Sequence, residues 1–276
     1  MRSQRAILRN MFLVWNGHEL RMIMLNMKEE WNERAKDNPL YYVSAFSKDW
    51  NDESFYRWGE IQTQIVIDVF FRSLHLCTSD FVMLEIGCGA GRMTRALASR
   101  FRKVFAYDVS EEYIRIAKNK NHYLKNVVFT VNDGLSFSEV DNDSIDFVFS
   151  GWTMQHMPTK NVVIKNIDEI ARVLKPGGFY KIDPLLTKHG TLVDTTTSRL
   201  LSSRIVRYSA SHLGLNKLVV TPTWRGARFA EEEIIEILSK HNLTVDSSLE
   251  NDGWELIQGR KTLRRWFHGQ KRTVLS

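Results

Sequence analysis

Only two cysteines, Cys77 and Cys88, occur in 276 residues, and neither stands at the spacing of a metal-ligand pair. A disulfide framework and a cysteine-bound metal are excluded as organising features, no metal site is expected, and a reducing, cytoplasmic setting is. No segment reaches the ~18 uninterrupted apolar residues of a membrane-spanning helix. The first stretch, MRSQRAILRNMFLVW, has basic and apolar parts, but Arg9 and Asn10 interrupt it. No small-residue cleavage site follows, so no signal peptide is expected. Repeats and low-complexity tracts are missing as well. Nor is one charge in large excess, since 38 basic against 32 acidic residues leave a mild +6. The densest basic stretch, GRKTLRRWFHGQKR, reads either as a solvated end or as a patch that meets nucleic acid or an anionic surface.

What is present has the balance of a soluble globular chain, 43% apolar and 25% charged, long enough to bury one large core or two small ones. ESFYRWGEIQTQIVIDVFFRSL (53–74) repeats apolar residues at helical spacing. From residue 82 the period changes. VMLEI (82–86), KVFAYDV (103–109), VVFTV (127–131), IDFVFS (145–150) and FYKID (179–183) read as buried strands. Amphipathic helical stretches at 91–101, 111–122 and 160–174 separate several of them. Such alternation predicts an α/β fold, a parallel sheet with helices on both faces. LKPGG (174–178) predicts a helix stop before the fifth strand. Residues 185–228, rich in Thr, Ser and Arg with a helix expected near 196–213, break the rhythm. A helix resumes at AEEEIIEILSKH (230–241), and LTVDSSLENDGWELIQGRK closes as an antiparallel hairpin around NDG. The expected division is an extension over 1–30, a helical lid segment over 31–80 and a main domain over 81–276. Within that domain, 185–228 is an insertion above the carboxyl ends of the strands, where open α/β sheets bind ligands.

MLEIGCGAGR (83–92) runs the first strand into glycines at every second position. A turn so bare of side chains lets a ligand approach the backbone; a tight strand-to-helix turn without a ligand is the plain alternative. Two adenosine cofactors are candidates, a nicotinamide dinucleotide and S-adenosylmethionine. A dinucleotide fingerprint spaces its glycines G-x-G-x-x-G so that a pyrophosphate meets the helix N-terminus. Here Gly87, Gly89 and Gly91 give G-x-G-x-G, and Arg92 stands where the third dinucleotide glycine would be. S-adenosylmethionine has no phosphate; its amino-acid end needs donors and acceptors, and its ribose an acceptor. Glu85 at the strand end offers a carboxylate to an ammonium, and Arg92 could pair with a carboxylate. Asp108 ends the second strand in FAYDVS, about 20 residues on, where it could accept both ribose hydroxyls. Its alternative, capping the next helix, is a task Ser110 can take. Asp133 in VNDG (131–134) could accept from an adenine amino group while Gly134 offers its N–H; a simple Asp-Gly turn is the alternative.

In order and spacing, LEIGCGAGR, YDVS, NDG, DFVFSGWTMQHMP and RVLKPGGFYKIDP resemble the successive motifs of class I S-adenosylmethionine-dependent methyltransferases, above all the small-molecule methyltransferase-domain group. The likeness covers 85–183; the terminal hairpin resembles that family's reversed last strand pair, and EWNERAKDNPLYYV the N-terminal helix and lid of some members. The resemblance implies a Rossmann-like, mostly parallel seven-stranded sheet with a reversed last strand, S-adenosylmethionine as cofactor, and methyl transfer to an O or N atom. Residue by residue, it implies that Glu85, Gly87, Gly89 and Arg92 surround the methionine moiety, with Gly91 in the same turn. Asp108 would hold the ribose, Val109 cover one adenine face, Asp133 and Gly134 meet the adenine edge, and Ser150 offer backbone near the sulfonium.

The acceptor is what these residues leave unnamed. If the nucleophile must lose a proton, His156 just past the fourth strand is the candidate base, with packing or a backbone hydrogen bond as its alternative. Asp183 in KIDP is the second candidate, or a cap of the loop before Pro184. Trp152, Gln155 and Trp224 are candidate acceptor contacts, Trp224 equally an anchor for the insertion. Tyr41 and Tyr42 belong to a lid or pack their segment onto the sheet. Two further readings stay open. One is a methyltransferase acting on nucleic acid or protein through the basic tail, although SGWT stands where an asparagine-proline-proline-aromatic signature would suit a base amino group. The other is a nicotinamide-dependent oxidoreductase on a similar sheet. A small-molecule acceptor is expected, a nucleic-acid partner and a membrane span are not, and the number of subunits stays open.

Overall fold

The computed structural model describes residues 2–44, 46–187, 226–251 and 254–262, and side chains over 20–44, 46–187, 226–246 and 257–262. The chain opens with helices α1 (Arg2–Asp37), α2 (Pro39–Val43), α3 (Asp52–Thr63) and α4 (Val69–Ser73), the last two joined by a π-helical turn, Gln64–Asp68. The helix expected over 53–74 is thus one helical run with a π-turn inside it. Asn51 starts it by accepting from Ser54 N at 2.8 Å. Strands and helices then alternate: β1 (Val82–Ile86), α5 (Arg92–Ala98), β2 (Lys103–Asp108), α6 (Glu111–Lys120), β3 (Val127–Val131), β4 (Ile145–Ser150), α7 (Lys160–Val173) and β5 (Leu174–Ile182). After them come β6 (Leu185–Leu186), β7 (Arg228–Phe229), α8 (Glu231–Lys240), β8 (Leu243–Asn251) and β9 (Trp254–Lys261).

Seven strands form one sheet in the order β3-β2-β1-β4-β5-β9-β8. Neighbours from β3 to β5 are parallel, and β9 is antiparallel to both β5 and β8. This is the expected sheet with its last strand reversed. Strand periodicity sends alternate side chains to opposite faces, and both faces are apolar because both are covered. Met83, Val104, Ala106, Phe147 and Phe149 pack against Phe70 and Phe71 of α4, Met93 and Leu97 of α5, and Ile114 of α6. Leu84, Ile86, Val148 and Tyr180 pack on the other side against Val163, Ile167 and Ile170 of α7 and Ile234 and Leu238 of α8.

Three features depart from or add to the expectations. Strand β5 begins at Leu174, five residues before the FYKID run, because Leu174 pairs with Ile145 before the register shifts between Ile145 and Phe147. The LKPGG segment therefore ends α7 and is already strand. A second, two-stranded parallel sheet, β6 with β7, had no signal in the sequence. Helix α1 runs unbroken through residue 30, and Met24 and Met27 on it are buried in the core. The expected helix near 196–213, Trp224 and the tail beyond 262 lie outside the described residues.

Candidate active site

Strands β1 and β4 are neighbours whose following connections lead to opposite sides of the sheet, and their carboxyl ends open a crevice at this switch point. A cavity of about 580 Å³ sits there, within the range of cofactor sites. Its floor is Glu85 to Gly89 with Arg92, its flanks are Asp108 and Val109 at the end of β2, Asn132 and Gly134 after β3, and Gly151 to Thr153 after β4. The N-terminal helices complete it through Met27, Trp31, Tyr42, Val43 and Gln62.

The glycine turn is bare because its neighbours leave no room. Gly87 and Gly89 have φ of 74° and 53°, in the left-handed region that side chains rarely adopt. A Cβ at Gly87 would overlap Thr153 Oγ1, and one at Gly89 would lie 2.8 Å from Val43 Cγ2. The turn is held from β2: Gly87 N and Cys88 N donate to Tyr107 O at 2.7 and 3.0 Å, and Gly89 N donates to Asp108 Oδ2 at 2.9 Å. Gly91 does not line the cavity; it caps α5 beside Asn121 of α6. Cys88 lines it as a buried thiol whose pKa burial pushes up.

Charge is concentrated at the floor. Arg92, in the first turn of α5, is only 5% exposed. Helix α3 covers it, approaching so closely at Gly59 that a Cβ there would overlap Arg92 O. Burial lowers the Arg92 pKa to about 10, opposed by the nearby Glu85 charge. Glu85 accepts from Thr94 Oγ1 at 2.6 Å, and burial raises its pKa to about 7, opposed by that hydrogen bond and by Arg92. Asp108 accepts from Gly89 N and Ser110 N, and burial raises its pKa to about 6 against those bonds. Ser110 takes the cap of α6, accepting from Tyr113 N. A carboxylate has about four acceptor sites, so Asp108 keeps capacity for two hydroxyls.

Four buried side chains on the cavity wall carry polar atoms without a partner among the described residues: Arg92 Nε and Nη1, Gln62 Oε1, Ser44 Oγ and Tyr113 OH. Leaving such groups unpaired costs roughly 1–3 kcal/mol each, more for a charge, so the set calls for a polar, zwitterionic ligand. S-adenosylmethionine fits it: a carboxylate for Arg92, an ammonium for Gln62 Oε1 and Glu85, and ribose hydroxyls for Asp108 and Tyr113.

On the acceptor side the structure sorts the candidates. Trp152 lines the cavity with φ of 59°, a left-handed conformation unusual for an aromatic residue. Gln155 and His156 also line it, on a 3-10 turn, Met154–His156, and the His156 ring meets the edge of Trp31 at 5.5 Å. Ser150 and Asp183 do not line it. They lie beneath, Ser150 Oγ donating to Asp183 Oδ1 at 3.0 Å and Met154 N donating to the same oxygen at 3.2 Å. Asp133 also points elsewhere. It is exposed and accepts from Leu135 N and Ser136 N at 2.8 Å, the simple turn weighed as its alternative. Its neighbour Asn132 faces the cavity instead, beside Asn166, whose Nδ2 donates to Gly134 O at 2.8 Å. Tyr42 lines the cavity and donates to Asp37 Oδ2 at 3.0 Å. Tyr41 packs edge-on to Tyr42 and does not line it.

Trp31, Gln62, Asn132, Asn166 and Arg228 were not singled out by sequence. Only Gln62 left a trace: it falls on the buried stripe of α3 with Phe55, Tyr56, Gly59 and Thr63, where a polar residue is out of place.

Residues 83–178 match the model of a family described as "Methyltransferase domain". The chain is 28% identical over 127 residues to an uncharacterized methyltransferase of Schizosaccharomyces pombe, covering 45% of this chain and 47% of that protein. It is 36% identical over 81 residues to phosphoethanolamine N-methyltransferase 3 of Arabidopsis thaliana, covering 29% of this chain and 16% of that protein. The match thus spans less than half the length of these relatives. Geranyl diphosphate C-methyltransferase from Streptomyces coelicolor A3(2) superposes with a TM-score of 0.56 at 13% identity, over 87% of this chain and 98% of that one, a likeness of fold. Residues 83–178 thus carry the methyltransferase-domain match, and the chain as a whole shares the fold of methyltransferases of known structure.

Proposed function

We propose that the protein moves a methyl group from S-adenosylmethionine to an oxygen or nitrogen atom of a small-molecule acceptor. The observation that carries the reading is the buried Arg92 guanidinium, with two unpaired nitrogens, on the cavity floor beside Glu85. The names of two similar proteins, with phosphoethanolamine and geranyl diphosphate in them, agree with a small acceptor.

Bound there, S-adenosylmethionine would supply an electrophilic methyl group on a sulfonium whose leaving group is a neutral thioether. The chain's own residues align and enclose. Arg92 and Gln62 orient the amino-acid end, Asp108 and Tyr113 the ribose, and Val109, Asn132, Gly134 and Asn166 the adenine. Holding reactants in attack geometry contributes about 7–11 kcal/mol. Trp31, Trp152 and Phe46 exclude water from the acceptor side. His156 takes the proton where the acceptor atom carries one, a further 10²–10⁴-fold in rate, on the order expected for a positioned base. Asp183 acts from below by holding Ser150 and Met154.

Isothermal titration of the full chain with S-adenosylmethionine tests the reading. Micromolar binding is expected, weakened at least tenfold by Asp108→Ala; a folded sample that binds nothing would overturn it.

A further inference from the structure

We propose that Asn166 of α7, and not Asp133, reads the 6-amino group of the cofactor's adenine. The proposal rests on the cofactor reading and deepens it, by assigning which group at the adenine edge accepts and which donates. An acid after the third strand would suit an amino group, but Asp133 is already engaged. Its Oδ1 accepts from Leu135 N and Ser136 N at 2.8 Å and from Ser136 Oγ at 3.2 Å, and its Oδ2 accepts from the same hydroxyl at 3.3 Å. The residue is exposed and does not line the cavity. Glu85 and Asp108, the only acids that line it among the described residues, are assigned to the amino-acid end and the ribose.

Asn166 is 1% exposed and lines the cavity. Its Nδ2 donates to Gly134 O at 2.8 Å and to Val162 O at 3.0 Å. Carbonyl oxygens only accept, so these two partners fix which way the amide points. Both N–H groups are engaged on backbone. What the amide has left for the cavity is Oδ1, an acceptor that takes no hydrogen bond among the described residues. A buried amide oxygen without a donor is unfavourable, so this one calls for a ligand that donates.

The matching donors belong to residues beside it. Gly134 N donates to no group among the described residues. Asn132 Nδ2 gives one N–H to Ser136 O at 3.0 Å and keeps the other. Both residues line the cavity. Gly134 also leaves the slot open, since a Cβ there would overlap Met24 Cε and lie 2.9 Å from Val109 Cγ1. This end of the cavity therefore presents an acceptor with donors next to it. Adenine presents the reverse, an amino donor beside the bare ring nitrogen N1. Hypoxanthine inverts both, with a carbonyl in place of the amino group and a hydrogen on N1. It would set acceptor against acceptor and donor against donor. Such a site rejects the mismatched base because its own buried groups are left unpaired.

Isothermal titration of the full chain with S-adenosylhomocysteine and with S-inosylhomocysteine reads this pattern without any turnover. The parent is expected to prefer the adenosyl compound by at least about thirtyfold, the effect of two mismatched hydrogen bonds. Asn166→Ala should narrow that preference at least about fivefold. Asp133→Ser, whose hydroxyl can still hold the turn, should leave it unchanged. If Asn166 only props Gly134, Asn166→Ala weakens both ligands equally and the preference stays, which would overturn the proposal. Equal binding of the two compounds by the parent, or a preference lost in Asp133→Ser, would overturn it as well. Thermal melting reports whether each variant is folded. Where Asn166→Ala is not, Asn166→Ser takes its place with the same narrowing expected, because its hydroxyl can donate to Val162 O within the helix. A folded parent that binds neither compound removes the cofactor reading itself, whereas S-adenosylhomocysteine binding with the wrong preference removes this proposal alone.

Discussion

Asp183 is buried, accepts from Ser150 and Met154 through one oxygen, and has no partner for the other among the described residues. Burial raises its pKa to about 7, against the stabilising hydrogen bonds. In the unfolded chain a carboxyl titrates near ~3.9. The folded state therefore binds this proton more tightly, and the stability linked to it is full below pH ~4 and lost as pH rises through about 7. Thermal melts between pH 5 and 8 should show Asp183→Asn with a flatter slope than the parent, by roughly 2–4 kcal/mol over the range. Parallel slopes would show that Asp183 does not hold its proton in this way. Glu85 and Asp108 shift in the same direction and leave a residual slope in both proteins. At this scale the sequence was informative wherever a strand end dictates direction, as for Glu85, Asp108 and Val109. It was silent on burial by distant elements: nothing local says that α3 will seal Arg92. Nor does anything local decide whether Asp133 serves its own turn or a ligand.

Val43 of helix α2 stands directly over Gly89 of the glycine turn. Gly89→Ala adds a methyl 2.8 Å from Val43 Cγ2 on a backbone with φ of 53°. The left-handed conformation alone costs about 1–2 kcal/mol for a residue with a Cβ. The variant should melt lower by that amount and lose most of its S-adenosylmethionine affinity. Adding Val43→Ala should return part of the affinity and little of the stability, because it relieves the clash and not the backbone. Titration calorimetry of the two variants separates these contributions; identical losses would show that α2 plays no part. Elements were the most legible level. Strands β1 and β4 match their apolar runs to the residue, since burial on both faces writes a continuous apolar code, and the edge strand β3 matches its run as well although Val128 is exposed. The early start of β5 was hidden because proline and glycine in LKPGG signal a helix stop equally well, and pairing with Ile145 is a long-range fact.

Across the whole molecule, the parallel sheet followed from strand–helix alternation and its reversed last strand from the family resemblance, whereas the walls of the cavity did not. Trp31 and Gln62 come from helices far from the motifs in sequence, and no short-range pattern binds them to a glycine turn. Helix α1 is the largest such contribution. Asn32 Oδ1 accepts from Ser110 Oγ at 2.7 Å, Lys28 pairs with Glu111, and Met24 lies so close to Gly134 that a Cβ there would overlap its Cε. Removing residues 1–30 takes away Met24 and Met27, and buried methionines contribute about 2–5 kcal/mol each. The shortened chain should melt well below the parent and bind S-adenosylmethionine at least tenfold more weakly. Unchanged affinity would mean that those residues are a dispensable extension.

The pairing of β6 with β7 brings the two ends of the stretch 185–228 side by side, Leu185 next to Arg228. Adjacent strands lie about 5 Å apart, so a bridge of almost any length can join them. Doubling such a bridge costs only about 0.6 kcal/mol in closure entropy. Lengthening or shortening the stretch between these two strands should therefore cost the rest of the fold little.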